Sequence, residues 1–380
     1  MRIAVYCQHV LGMGHLFRTL AIVGALAGHE RLLVLGGPRT PAAVPAGVSL
    51  LRLPELSMDA AFGALSLSGA ALDAVRRARR EALVAALCAF SPDVFFVELY
   101  PFGRKAFEFE LLAAIEAVRR GGGRVVCGVR DILVEKKDQA GYEARVLDRL
   151  GKYFDGVCVH ADPALFRLDA TFSRAEDIPV PVRYTGYVAG AAQAVRTAAA
   201  VRRELGVAAG RELVVASAGG GKVGGELLAA LLAAARESPR LSRASLRVFS
   251  GPFCPDDVFS GLVAAAAALP DARVVRFADA FPDILAACDL SVSLAGYNTV
   301  MALLAAGARG LVAPFDQNRE QRMRAARLAE LGLLGLLAPH DLDPPVLAAC
   351  CVAALDAPRP PRAAIDLDGA RGAAALLTSL

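Results

Sequence analysis

Short apolar runs bounded by turn residues alternate with longer amphipathic stretches along this chain, and the alternation occurs twice. Residues 3–7, 31–35, 94–98, 125–129 and 156–160 have the length and near-continuous apolarity of strands covered on both faces. Residues 16–27, 72–90, 107–120 and 139–150 lie between them with helical spacing. After residue 200 the pattern restarts, with strands predicted at 213–217, 246–250, 273–276, 290–293 and 310–313. Helices at 225–237, 259–268, 299–306 and 320–331 separate those strands. Parallel neighbours need helical crossovers, so the pattern predicts two doubly wound α/β domains. A length of 380 residues agrees, at roughly 150 per domain.

The domain boundary falls where the pattern lapses. Pro179 and Pro181 punctuate an extended segment up to Tyr187 that cannot be helical, and a new helix starts near Thr197. We therefore expect a first domain over 1–190 and a second over 191–365. A final helical segment, 366–380, could cross back to the first domain, which the sequence alone does not show.

Composition excludes several classes of function. Hydrophobic residues form 55% of the chain and charged ones 21%, so it folds around sizeable cores. The net charge of +4 suits an anionic small molecule, but its scattered Lys and Arg residues give no nucleic-acid footprint. The eight cysteines have no CxxC pair and sit mostly in apolar runs, as reduced thiols of a cytoplasmic protein would. Apolar stretches end well before the roughly 20 residues of a membrane span, which leaves peripheral membrane contact open. Without a carboxylate cluster or a His pair at helical spacing, no metal site and no cofactor are expected.

Two glycine-rich loops stand where such domains place ligands, between a strand and the following helix. The first is Leu11-Gly12-Met13-Gly14-His15-Leu16-Phe17-Arg18, in which Gly14 lets a ligand approach the backbone and the helix start offers N–H groups to an anion. The helix dipole disfavours the cationic form of His15, so this residue can serve as a base. The loop lacks the third glycine of the dinucleotide fingerprint and the Lys-Ser/Thr of a P-loop. The second loop, Ser217 through Lys222, contains Gly219, Gly220 and Gly221 at the equivalent place in the second half. Two strand ends in the first half add Glu98 with Arg104, and Arg130 with Asp131. Arg130-Asp131 can equally be an internal salt bridge, and Glu98 an exposed or capping carboxylate.

The richest segment runs from Phe277-Ala278 through Ser293-Leu294-Ala295-Gly296-Tyr297-Asn298-Thr299 to Asn318-Arg319-Glu320-Gln321. It resembles glycosyltransferase family 28 of the GT-B superfamily, in particular the C-terminal domain of MurG-like N-acetylglucosaminyltransferases. The resemblance implies a GT-B fold, with two Rossmann-like domains facing across a cleft. It further implies that Ser293, Gly296, Asn298 and Thr299 hold the diphosphate of a nucleotide sugar, with Phe277 and Ala278 at its base. On the same grounds Glu320 and Gln321 would hold the sugar hydroxyls. UDP is the implied nucleotide and an N-acetylhexosamine the implied sugar, transferred with inversion and without a metal.

In the first half, His15 matches the first-loop histidine of the family, with Glu98 and Asp131 as further candidate bases. Arg18, Arg104 and Arg130 stand on the acceptor side; the acceptor itself is unidentified. One departure is plain: the glutamate that these enzymes use for the ribose diol is Ala302 here. A methyl group cannot accept those hydrogen bonds. Alternatives are therefore a nucleotide-sugar hydrolase or epimerase of the same fold, or a non-catalytic nucleotide-sugar binder.

Overall fold

The computed structural model describes residues 1–9, 14–38, 42–58, 65–189, 196–278, 280–315, 319–360 and 365–380. They form two compact units, Met1–Gly190 joined by Ile365–Leu380, and Ala191–Ala364.

The first unit is built on seven strands: β1 (Arg2–Gln8), β2 (Glu30–Gly36), β3 (Ser49–Arg52), β4 (Val94–Glu98), β5 (Arg124–Arg130), β6 (Gly156–His160) and β7 (Val182–Tyr184). They lie in the order β3-β2-β1-β4-β5-β6-β7, every pair parallel. The second unit has six: β8 (Leu213–Ser217), β9 (Ser245–Phe249), β10 (Ala272–Val275), β11 (Leu290–Leu294), β12 (Gly310–Ala313) and β13 (Gly335–Leu336). Their order is β10-β9-β8-β11-β12-β13, again all parallel. Each sheet therefore reverses its winding once, between β1 and β4 in the first and between β8 and β11 in the second. Ligands of doubly wound sheets gather beyond the carboxyl ends of the strands at such points.

Both faces of each sheet are covered by helices, which is why the central strands read as unbroken apolar runs. In the first unit these are α1 (Gly14–Ala25), α2 (Gly69–Phe90), α3 (Glu108–Arg120) and α4 (Gln139–Tyr153). In the second they are α5 (Ala198–Glu204), α6 (Gly225–Glu237), α7 (Asp256–Ala266), α8 (Phe281–Ala287), α9 (Tyr297–Ala306), α10 (Arg319–Glu330) and α11 (Pro344–Asp356). The last helix, α12 (Gly369–Thr378), packs in the first unit, where Ala373, Ala374 and Leu377 join a core containing Ile3, Val5, Leu16, Ile22 and Val23. It is fixed by the backbone: Tyr187 N–H donates to the Asp366 carbonyl at 2.7 Å, and Gly369 N–H to the Tyr187 carbonyl at 3.0 Å. A Cβ on Gly369 or Gly372 would lie 2.2 Å from the carbonyl oxygen of Gly186 or Thr185, so only glycine allows this approach.

Elements that the sequence pattern does not predict are β3, β7, β13, α8 and α11. Among the described residues no helix is long and apolar enough to cross a membrane.

Candidate functional site

At the reversal point of the first sheet, β4 ends on Glu98 and the adjacent β1 leads into α1. Leu11, Gly12 and Met13 lie outside the described residues; Gly14 opens α1 and His15 stands in its first turn. Arg18 follows one turn later, on the same helix face. Both side chains converge on Glu98: His15 Nδ1 lies 2.9 Å from Glu98 Oε1, and Arg18 Nη2 donates to the same oxygen. Arg18 Nη2 also lies 2.9 Å from His15 Nδ1. A guanidinium can only donate and an ionised carboxylate can only accept, so the two contacts ask opposite tautomers of Nδ1, and we take the charged acceptor Glu98 as its partner. With its proton on Nδ1, His15 makes a charge-assisted bond to Glu98 and leaves the lone pair on Nε2.

The electrostatics fit this assignment. Burial opposes the charge of Glu98, but the Arg18 guanidinium and the His15 bond outweigh it and hold the carboxyl well below its usual range. Burial also pushes the His15 imidazole down to about 3, with Arg18 and Arg104 reinforcing the effect against Glu98. The result is a neutral histidine whose side chain is 17% exposed, oriented by a carboxylate that is 1% exposed. Glu98 is therefore an internal carboxylate whose Oε1 serves both neighbours, while Oε2 is buried without a hydrogen-bond partner among the described residues.

Three further candidates belong to the same unit. Arg104 closes the turn after β4 in the left-handed region, at φ 60°. Arg130 ends β5, in register with His160 on β6. Asp131 follows it, fully buried, and accepts a hydrogen bond from Tyr187 Oη at 3.3 Å. Enclosed in this way, Asp131 is part of the internal packing. His160, which the sequence does not distinguish from a packing residue, is fully buried; its Nδ1 lies 3.0 Å from Thr185 Oγ1. Burial pushes its imidazole down to about 4, while Glu98 pulls it back up. Gly128 on β5 leaves space for its ring, since a Cβ there would lie 3.0 Å from His160 Nε2 and 2.2 Å from Phe96 Cζ.

The second unit repeats the arrangement with different chemistry. Ser217 ends β8 and pairs in register with Ser293 on β11, so the two serines stand side by side at the reversal point. Ser217 Oγ accepts from Gly219 N–H at 3.2 Å, and Ser293 Oγ lies 2.9 Å from Ser291 Oγ. In the loop after β8, Gly219 adopts φ 63° and Gly221 φ 87°. The glycines serve different ends. A Cβ on Gly221 would meet the Ser250 carbonyl oxygen at 2.3 Å, whereas nothing lies within 4 Å of one on Gly219, and for Gly220 only a Phe253 ring atom does, at 3.9 Å. Gly221 thus packs the loop against its neighbour, while Gly219 and Gly220 leave open space where a side chain would stand.

Helix α9 begins beside this loop. Its N-cap, Gly296, supplies no side-chain oxygen, unlike Asp138 and Thr197, which cap α4 and α5. A Cβ on Gly296 would meet nothing within 4 Å. Asn298 and Thr299 stand in this first turn, where backbone N–H groups have no intrahelical acceptor. Phe277, just beyond β10, is a 43% exposed aromatic side chain, with Ala278 next to it. Glu320 is turned inward: its Oε1 accepts from Arg324 Nη2 at 2.8 Å, and the Arg324 guanidinium stacks 5.0 Å from the centre of the Tyr297 ring. Gln321 Oε1 accepts from Phe315 N–H at 3.1 Å. Both members of the predicted sugar-binding pair are thus engaged within the protein, and Arg324, four residues after Glu320, is the partner that helical spacing could have supplied. Asp316, Gln317 and Asn318 lie outside the described residues. Ala302 is buried in α9. Among the described residues no three His, Cys, Asp or Glu side chains gather as metal ligands would.

Comparison with known proteins agrees with this architecture. Residues 257–355 match the model of the glycosyltransferase family 28 C-terminal domain. The whole chain superimposes on the calicheamicin glycosyltransferase at a TM-score of 0.63 with 16% identity, covering 97% of that protein. It covers all of Acinetobacter baumannii MurG at a TM-score of 0.57 and 16% identity. A third match, at 0.61 and 16%, spans 100% of this chain and 94% of Phytolacca americana UGT2 complexed with UDP-2-fluoro-glucose and pterostilbene. No curated protein matches the sequence. The fold is that of GT-B glycosyltransferases.

Proposed function

We propose that this GT-B protein is a glycosyltransferase that moves a sugar of the N-acetylhexosamine type from UDP to an acceptor hydroxyl or amine, inverting the anomeric centre without a protein-bound metal. The observation that carries this reading is the open start of α9, within the family-matched segment: a glycine cap with space in front of it at the reversal point of the sheet. A helix N-terminus of this kind favours a diphosphate and stabilises the charge that develops on it as the glycosidic bond breaks. Gly219 and Gly220 leave open space beside it, Ser293 and Thr299 add hydroxyls, and Phe277 offers its ring to the base.

On the acceptor side His15 is the general base. Its Nε2 takes the acceptor proton as the acceptor oxygen or nitrogen bonds to the anomeric carbon and the diphosphate leaves with the electrons of the broken C–O bond. Glu98 holds the imidazole through Nδ1 and favours the imidazolium that forms. Ala302 gives the ribose diol no carboxylate, so recognition of the nucleoside falls on Phe277 and backbone groups. Ala302 also favours a second reading, a nucleotide-sugar binder without turnover.

A thermal-shift screen of UDP-, dTDP-, GDP- and ADP-sugars tests the donor site, since ligand at about 100 times its Kd adds about 2.7 kcal/mol of stability. A shift with UDP-sugars, with nucleotide release that His15→Ala abolishes while the shift persists, is the expected result. A shift without turnover favours the binder, donor consumption without acceptor indicates a hydrolase, and no shift with any nucleotide sugar refutes the donor site.

A further inference from the structure

We propose that the acceptor carries an oxyanion, a phosphate or a carboxylate, that binds Arg104 beside His15 at the carboxyl end of the first sheet; this rests on the glycosyltransferase reading of that site. Arg104 is a half-buried guanidinium whose Nε is enclosed without a hydrogen-bond acceptor among the described residues. The groups that bear on its charge are Cys7, Glu98, Tyr6 and Arg130. Burial keeps the Cys7 thiol protonated, pushing it up to about 12, and raises the Tyr6 phenol well above its ordinary range. Glu98 is the one anion of the four, and its Oε1 already serves Arg18 and His15. Arg130 adds a charge of the same sign as that of Arg104.

A cation drawn out of water is costly unless a counter-charge meets it, and the protein places none in contact with Arg104 among the described residues. The backbone holds Arg104 at φ 60°, a conformation that a side-chain-bearing residue adopts at a cost, so the turn after β4 is a constrained one. A planar fork of N–H donors suits the paired oxygens of a carboxylate or phosphate. Arg104 also acts on His15, disfavouring its protonation. An oxyanion seated on Arg104 offsets that effect and makes the imidazole a better base at the moment the acceptor arrives. The ligand thus completes the base that deprotonates it.

The test uses the full chain with saturating UDP, so that added anions meet an occupied donor site. The chain has five histidines, and the imidazole resonance of His15 is identified by its loss in His15→Gln. Inorganic phosphate, phenyl phosphate and benzoate are titrated separately, the last two separating a phosphate source from a carboxylate. A saturable shift of the His15 resonance is expected, with affinity reduced about tenfold or more in Arg104→Gln and partly kept in Arg104→Lys. An unmoved His15 resonance with all three anions overturns the proposal. So does equal affinity in wild type and Arg104→Gln, and Arg104→Lys reports on the same point if the Gln variant is poorly folded. Failure of UDP to bind would count against the glycosyltransferase reading alone, because the anion titration at His15 needs no donor.

Discussion

Replacing Glu98 by Gln keeps the shape of the side chain and removes its charge, and both stability and turnover should respond. In the folded protein one oxygen of this buried carboxylate serves both Arg18 and His15. Removing one member of a buried ion pair costs about 3–5 kcal/mol, a large part of the 5–15 kcal/mol that typically holds a domain together. At about 2–4 °C per kcal/mol for a unit of this size, the apparent melting temperature should fall by about 6–20 °C at pH 7. Because Glu98 titrates below its ordinary 4.5 when folded, its contribution is fully present above that value and is lost as the pH falls through the folded one. The gap between wild type and variant, followed by calorimetry from pH 7 to pH 3, should therefore narrow below about pH 4.5. In steady-state assays at a temperature where both proteins are folded, turnover should fall about a thousandfold to ten-thousandfold, the scale for a histidine base deprived of its orienting carboxylate. UDP affinity, which the proposed donor site in the second unit would carry, should stay unchanged. A pH-independent gap, or a folded variant with wild-type turnover, would refute the role of Glu98 as the anion that orients His15.

Three other outcomes are expected. Gly221→Ala should lower stability by about 1–3 kcal/mol, because its φ is 87° and its Cβ would meet a carbonyl oxygen, whereas Gly296→Ala should fold normally and lose UDP affinity by filling the space before α9; equal melting temperatures for both variants would contradict this division. Phe277→Ala should weaken UDP binding about five- to hundredfold without a change in melting temperature, the range for an aromatic stacked on a base, and calorimetric titration decides it. His160 is neutral and buried, with its folded pKa near 4 against an ordinary 6.5, so the unfolded chain gains protons that the folded one refuses as the pH drops from 6.5 toward 4. Stability should fall across that window by on the order of 3 kcal/mol from this residue, and His160→Gln should flatten the denaturation profile there.

The sequence makes the central strands legible because burial on both faces leaves an unbroken apolar run, as in residues 3–7 and 213–217. Three of the four edge strands escape it, β10 being the exception. Ser49–Arg52 is mostly exposed and Gly335–Leu336 is two residues long, so neither carries a period. Helices α8 and α11 escape for another reason: α8 is only seven residues long, and α11 is apolar on nearly every side. At the site, His15 and Glu98 are legible as residues beside strand ends, where doubly wound sheets collect chemistry. What the sequence cannot supply is which group each side chain meets. The inward turn of Glu320 toward Arg324 and the burial of His160 beside Thr185 depend on partners whose approach is set by packing.

The seating of α12 also bears on how the protein is made. Ala373, Ala374 and Leu377 belong to the same core as Ile22 and Val23, yet the ribosome adds them only after the entire second unit, Ala191–Ala364. At about 5–20 residues per second, the apolar face of α1 waits on the order of ten seconds or more for its last neighbours. Both units contain all their own strands, so the second needs nothing from α12, while the first is made complete except for that one helix and keeps the seat beside α1 open as the second unit is synthesised.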